Sequence, residues 1–330
     1  MVSMTLTAVA SLTRKFIFIF VLLSILGIIS IIGYRVWTIN QLASLPPVEE
    51  KPDERWGTLP SPDFPTSDVT SSNFSYTLAT PTGKLPEIGK ITKVYFMPKS
   101  FSSLLASEKA QSLAKNFNLD SPPEIITETR YRFAKDGKSL VLDLESGNFT
   151  YQNSSISAST STELKISDSE IIQNFKNLLT SLDLLKDELK NGTSKIRDRQ
   201  VSLWPADIEQ KPIVFNNFNE SLINSLPTGT AQGLDSYQTI NYTYWPVDTT
   251  SFSTYSTRSS TQAFEDLKKG KGIVVVNPKN PQVSITSVYL AFYQSQNYTP
   301  YLQPIFVFEG PDFVAIMPAI KEESLVNQPN

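Results

Sequence analysis

Residues 125–151, IITETRYRFAKDGKSLVLDLESGNFTY, decide the fold. Ile125, Thr127, Thr129, Tyr131 and Phe133 alternate with Ile126, Glu128, Arg130 and Arg132, the period of a strand with one wetter face. Lys135-Asp136-Gly137 follows, and Asp-Gly tolerates the positive φ that a tight hairpin demands. Leu140, Leu142 and Leu144 line one face of the next strand, and Ser146-Gly147-Asn148 turns the chain into Phe149-Thr150-Tyr151. The stretch predicts a three-strand antiparallel meander.

Upstream, Ala106, Ala110, Leu113 and Phe117 recur at steps of four, three and four. This predicts a helix over Ser102–Phe117, which Pro122 and Pro123 stop. Phe74–Leu78 and Ile91–Met97 are strand-like. A helix on such a sheet is a complete α+β unit, expected over residues 74–152. A Ser/Thr-rich linker, 153–166, separates it from a second α+β unit, 167–330. That unit opens at an N-cap, Ser167 or Asp168, with Ile171, Phe175, Leu178, Leu182, Leu185 and Leu189 forming one long apolar stripe. Strands are expected at Ile196–Trp204, Ile213–Phe218 and Tyr237–Trp245, a short helix at Ser260–Lys269, and closing strands at Val283–Phe292, Tyr301–Glu309 and Phe313–Ile320.

Further out lies Phe16–Gly33, FIFIFVLLSILGIISIIG, with no charged side chain. As a helix it covers roughly 27 Å of a hydrocarbon core about 30 Å thick. Phe16, Phe20, Leu23, Leu26, Ile29 and Ile32 are the anchor side chains, and Tyr34 and Trp37 suit the headgroup level. The run exceeds the 7–15 residues of a signal-peptide core and lacks a small-x-small site after it, so residues 16–37 are expected to be an uncleaved transmembrane anchor. Arg14 and Lys15 precede it and only Arg35 follows closely. This places residues 1–15 in the cytoplasm as a tail and the rest outside the cell membrane. Pro46, Pro47, Pro52, Pro60, Pro62 and Pro65 crowd residues 38–73, which predicts a semi-extended stalk.

The chain has 29 Lys+Arg against 32 Asp+Glu. Without Arg14, Lys15 and Arg35, 26 basic residues face 32 acidic ones outside the membrane, an acidic balance that argues against nucleic acid. Histidine and cysteine are both absent. Cysteine nucleophiles, disulfides, Ser-His-Asp triads and zinc sites of the usual kind are therefore excluded, and no cofactor or metal is expected. Asp183, Asp187 and Glu188, placed on one helix, could hold a cation, but Lys186 and Lys190 between and beside them make a solvated face the better reading. Gly270-Lys271-Gly272 lacks the spacing of a phosphate loop and is expected to close a helix.

Two blocks carry a family resemblance. One runs from Leu113-Ala114-Lys115 through Tyr131-Arg132-Phe133 to Gly147-Asn148-Phe149-Thr150-Tyr151. The other runs from Val288-Tyr289-Leu290-Ala291-Phe292-Tyr293 through Tyr301–Gly310 to Val314-Ala315-Ile316-Met317-Pro318-Ala319. Together they resemble bacterial extracytoplasmic domains of the PepSY and YycH/YycI type. The resemblance implies an N-terminal anchor followed by two tandem helix-on-antiparallel-sheet domains. It also implies a non-enzymatic role, modulating a partner such as a sensor kinase or a peptidase, without a cofactor. The expected function is thus a membrane-anchored regulatory binding protein, with the lipid bilayer and an extracytoplasmic protein as partners. A structural part of a surface assembly and a carboxylate-dependent envelope hydrolase are the alternatives. Tyr242, Tyr244, Trp245, Tyr293, Tyr298 and Tyr301 serve a sheet core by default; if exposed together they would form the partner surface.

Overall fold

The structure, a computed structural model, describes residues 6–43, 51–99, 104–156 and 166–326. The chain divides into two units, Met1–Glu50 and Lys51–Asn330.

Among its described residues the first unit is one helix, α1 (Leu6–Ala43), 38 residues long. Its stretch Ile17–Thr38 is 22 residues long and apolar enough to cross a membrane, and none of its described side chains is buried.

The second unit is mixed α and β, dominated by strands. In chain order it begins β1 (Leu59–Pro60), β2 (Ser75–Leu78), β3 (Ile91–Phe96), α2 (Ala106–Asn116). The meander follows as β4 (Glu124–Thr127), β5 (Arg130–Lys135), β6 (Lys138–Asp143) and β7 (Phe149–Asn153). Next come α3 (Asp168–Ser181), α4 (Asp187–Lys190), β8 (Ser194–Arg197), β9 (Gln200–Leu203), β10 (Ile213–Val214), β11 (Ile223–Pro227), β12 (Tyr237–Tyr242) and β13 (Asp248–Ser256). The chain closes with α5 (Ser260–Lys268), β14 (Ile273–Val276), β15 (Gln282–Ile285), β16 (Ser287–Tyr293), β17 (Tyr301–Gly310), β18 (Phe313–Pro318) and β19 (Leu325–Val326).

Two of the expected strands are hairpins. The chain reverses at Glu128-Thr129, so Ile125 faces Tyr131 across a strand pair and the meander has four strands. Ile196–Trp204 likewise reverses at Asp198-Arg199, both with positive φ (49° and 67°), a tight turn made without glycine. Alternation alone does not reveal a two-residue reversal, because both arms continue the same period.

The long helix expected from Ile171 to Leu189 is two. α3 starts on a reciprocal cap between Ser167 and Glu170. It stops where Asp183 turns left-handed (φ 59°), with Leu184 N–H donating to Leu179 O (2.8 Å) and Asp183 N–H to Thr180 O (3.0 Å). Asp183 and Asp187 therefore do not share a helix face. α2 ends by the same device: Asn118 has φ 57°, Leu119 N–H donates to Ala114 O and Asn118 N–H to Lys115 O, each at 2.9 Å.

That shared stop belongs to two similar halves, each opening on a helix and giving four strands to one sheet, the second also containing α4 and β10, which goes to the other sheet. The halves do not keep separate sheets. The order is β4-β5-β6-β7-β12-β11-β9-β8, one eight-stranded antiparallel sheet joined at its middle by β7 and β12. Phe149 faces Tyr242 and Tyr151 faces Ile240, so the junction is symmetric about the Thr150–Asn241 pair. Phe149 and Tyr242 stack across it, centroids 5.4 Å apart at 12°. A single core fills the helix side, taking Phe117, Phe133 and Tyr151 from one half and Phe175, Leu203 and Ile240 from the other. The segment 153–166 is thus no boundary between sheets or cores; residues 157–165 lie outside the described residues.

The seven-stranded sheet also mixes early and late chain: β10-β16-β17-β18-β14, with β3 pairing both β13 and β17. β17 is central, and its apolar run is buried on both sides, Phe306 and Phe308 in one cluster, Ile305 and Val307 in another. Pro304 falls between the end of β3 pairing at Leu302 and the start of β18 pairing at Ile305, where no ladder on that side needs its amide. The expected strand Val283–Phe292 is split between sheets, because β15 leaves to pair β2 in parallel.

The expected stalk is not one over its described part, 51–73. Leu59 is buried and β1 pairs β19; Trp56 stacks on Tyr301 at 4.9 Å; Asp53 Oδ1 accepts from Thr254 N–H (2.7 Å) and Ser253 Oγ (2.5 Å). Proline withholds donors, but Trp56, Leu59 and Phe64 supply enough apolar surface to dock the segment on the sheet. Residues 44–50 lie outside the described residues.

Candidate functional site

The anchor residues Phe20, Leu23, Leu26, Ile29, Ile32, Tyr34 and Trp37 are all exposed on α1. The side chain of Phe16 lies outside the described residues.

The six aromatic residues form no shared exposed patch. Tyr242 and Tyr293 are buried and the other four are half-buried. Tyr242 donates its hydroxyl to Leu184 O (2.8 Å), and burial, then the neighbouring Tyr244, Asp183 and Glu188, push it above the usual phenol range. Tyr244 donates to Glu188 Oε2 (3.1 Å) and is raised by burial and by that carboxylate. Tyr242, at the end of β12, belongs to the large sheet's core, and Tyr244, two residues beyond the strand, packs half-buried against it. Trp245 packs edge-on against Tyr298 at 5.6 Å, and its Nε1–H has no partner among the described residues.

Tyr293, Tyr298 and Tyr301 do meet around one feature. They line a pocket of about 260 Å³ with Pro60, Asp63 and Gln303. The pocket exists because the 60–63 segment lies against the start of β17: Gln303 Nε2 donates to Pro60 O (2.7 Å). Asp63 Oδ2 accepts from Ser295 Oγ (2.8 Å) and Asn297 Nδ2 (3.1 Å). Burial, and then the Asp63 charge, raise the Tyr293 hydroxyl. Asp63 and Gln303 carried no signal in the sequence; they join the tyrosines only through the docking of residues 51–73.

A larger cleft of about 420 Å³ lies between β8 and the segment after β9 (Trp204–Asp207) on one side and β10, β16 and β17 on the other. Asp207, Lys195, Arg197 and Glu309 line it, Glu309 Oε2 accepts from Tyr289 OH (3.2 Å), and Lys195 sits over the Trp204 ring. Among the described residues no group of three Asp or Glu could hold a metal ion.

The two edges of the eight-stranded sheet differ. β8 carries Lys195 and Arg197, both exposed and both lining the cleft, charges that discourage further pairing. All four residues of β4 are exposed, with Ile125 66% and Ile126 48% accessible. The register shift between Ile125 and Thr127 sets both isoleucines outside the core. Alternation along the sequence puts Ile125 on the meander's apolar face; the edge position leaves it largely exposed.

No protein-family model matches the sequence, and no curated protein matches it. Among solved structures it is similar to the Bacillus megaterium YpeB C-terminal domain, 12% identical, with 69% of this chain and 96% of that one covered and a TM-score of 0.27.

Proposed function

We propose that this chain is a single-pass membrane protein whose C-terminal unit works outside the cytoplasm as a binding and regulatory module for another envelope protein, in the manner of PepSY and YycH/YycI-type domains. The exposed β4 edge carries the reading. An open edge with two accessible isoleucines accepts an added strand from a partner, main chain giving affinity and the isoleucines giving specificity. The lateral balance of Arg14 and Lys15 against Arg35 supports the orientation, and α1 supports the anchoring. The test is crosslinking in intact membranes: capture of a specific partner, lost in Ile125→Lys/Ile126→Lys, supports the reading. Equal recovery with the wild type and the variant refutes it.

A hydrolase reading keeps one observation, Asp207 and Glu309 lining the 420 Å³ cleft. Turnover of an envelope polymer that survives Glu309→Gln and Asp207→Asn removes it.

A further inference from the structure

The tyrosine pocket has a one-sided chemistry. Its three rings do not pair with one another among the described ring contacts. Each is backed from outside, Tyr293 by Phe64 (4.8 Å), Tyr298 by Trp245 (5.6 Å) and Tyr301 by Trp56 (4.9 Å). The space between them stays open while their positions are held.

Most of the lining side-chain donors are spent on the protein itself; among the described residues the Tyr301 hydroxyl has no hydrogen bond. Tyr298 OH donates to Met97 O (2.8 Å), Gln303 Nε2 to Pro60 O (2.7 Å) and Ser61 Oγ to Val326 O (2.9 Å). Tyr293 OH lies 2.7 Å from Asp63 O and 2.9 Å from Asn216 Oδ1, so its single proton is also taken. Apart from the Tyr301 hydroxyl, what remains is acceptor. Asp63 forms no salt bridge among the described residues, and Gln303 Oε1 has no partner although the residue is 4% exposed. An anion would meet a carboxylate charge and the unfavourable field of an unpaired amide oxygen. A cation would meet ring electrons, a carboxylate charge and the negative end of the Gln303 dipole.

We propose that this pocket receives an organic ammonium group, held by Tyr293, Tyr298 and Tyr301 and neutralised by Asp63. Its volume of about 260 Å³ admits a quaternary ammonium or the end of an alkylamine. The buried Gln303 oxygen acts through its field, without touching the ligand. The site is independent of the β4 edge.

The test uses the full chain in a choline-free maltoside detergent, with ligand-observed NMR of tetramethylammonium, n-butylammonium and neutral tert-butanol. Saturable binding of an ammonium ion, at least about tenfold tighter than tert-butanol, is expected. Asp63→Asn, which keeps the acceptor for Ser295 and Asn297, weakens it about tenfold, and Tyr301→Leu does the same. Ile125→Lys/Ile126→Lys leaves it unchanged, which separates this site from the partner edge. Tighter tetramethylammonium points to a quaternary amine, tighter butylammonium to a lysine-like amine. Equal binding of tert-butanol, no saturation below about 50 mM, or an unaffected Asp63→Asn variant with wild-type unfolding temperature overturns the proposal.

Discussion

Arg258 is the residue whose loss the unit should tolerate least. Its side chain is 4% exposed, and it joins three parts of the chain just after β13. Nη1 pairs with Asp266 Oδ2 on α5 at 3.0 Å, Nε donates to Ile320 O at 3.1 Å, and Glu322 lies 3.4 Å from Nη1. Asp266 is itself only 10% exposed. Arg258→Ala therefore strands a buried carboxylate, a loss of about 3–5 kcal/mol, and removes a carbonyl bond of about 1 kcal/mol. Lys271 Nζ, 3.8 Å from Asp266 Oδ1, offsets part of this, leaving about 3 kcal/mol. For a unit of this size that lowers the unfolding temperature by about 5–10 °C. The assay is thermal unfolding of the full chain in detergent, followed by tryptophan fluorescence. The double variant Arg258→Ala/Asp266→Asn, which deletes the stranded charge, should regain at least about 1 kcal/mol over Arg258→Ala. An Arg258→Ala shift below about 2 °C, or a double variant no more stable than the single, would refute the argument that the buried pair organises this corner.

Three further outcomes are expected. Asp53 has its carboxyl held below the usual range, first by the Ser253 hydroxyl and also by Thr254, against an opposing burial effect. Its contribution to docking residues 51–57 is present above its ordinary pKa of 3.8 and lost as pH falls through the lower folded value, so hydrogen exchange there should rise on acidification below pH 4, and not in Asp53→Asn. A Cβ on Gly192 would lie 1.9 Å from Trp204 O, so Gly192→Ala must displace backbone; a loss of several kcal/mol, about 2 or more, is expected in denaturant unfolding, and a neutral result would contradict the close approach. Ile28→Arg puts a charge near the middle of the Ile17–Thr38 span at about 2.5–3.5 kcal/mol, so carbonate-washed membranes should retain less of that variant than of Ile28→Leu.

Much of the large sheet is legible along the chain. The apolar steps of α2 and α3, the Asp136-Gly137 turn and the leucines of β6 each reflect contacts that residues make within one element or with its neighbour. The helix stop at Asp183 was hidden because the leucine stripe continues through it: Leu182, Leu185 and Leu189 still pack on the same core after the chain turns. The tyrosine pocket was half visible. Its rings stand out by composition, while Asp63 and Gln303 are ordinary residues until residues 51–73 fold back beside β17.

The sequence by itself determined that Phe16–Gly33 is one long apolar helical run, that the chain holds no histidine or cysteine chemistry, and that helices alternate with antiparallel strands. These follow from side-chain type and short-range periodicity, which need no partner to be read. Only the tertiary structure decided that β7 joins β12 to make one sheet of two halves, that β3 crosses into the late sheet, and that the proline-rich segment docks. Strand edges offer the same amides and carbonyls everywhere. Which edge they meet depends on how the remaining chain packs, and that choice leaves the β4 isoleucines open and sets three tyrosines around a carboxylate.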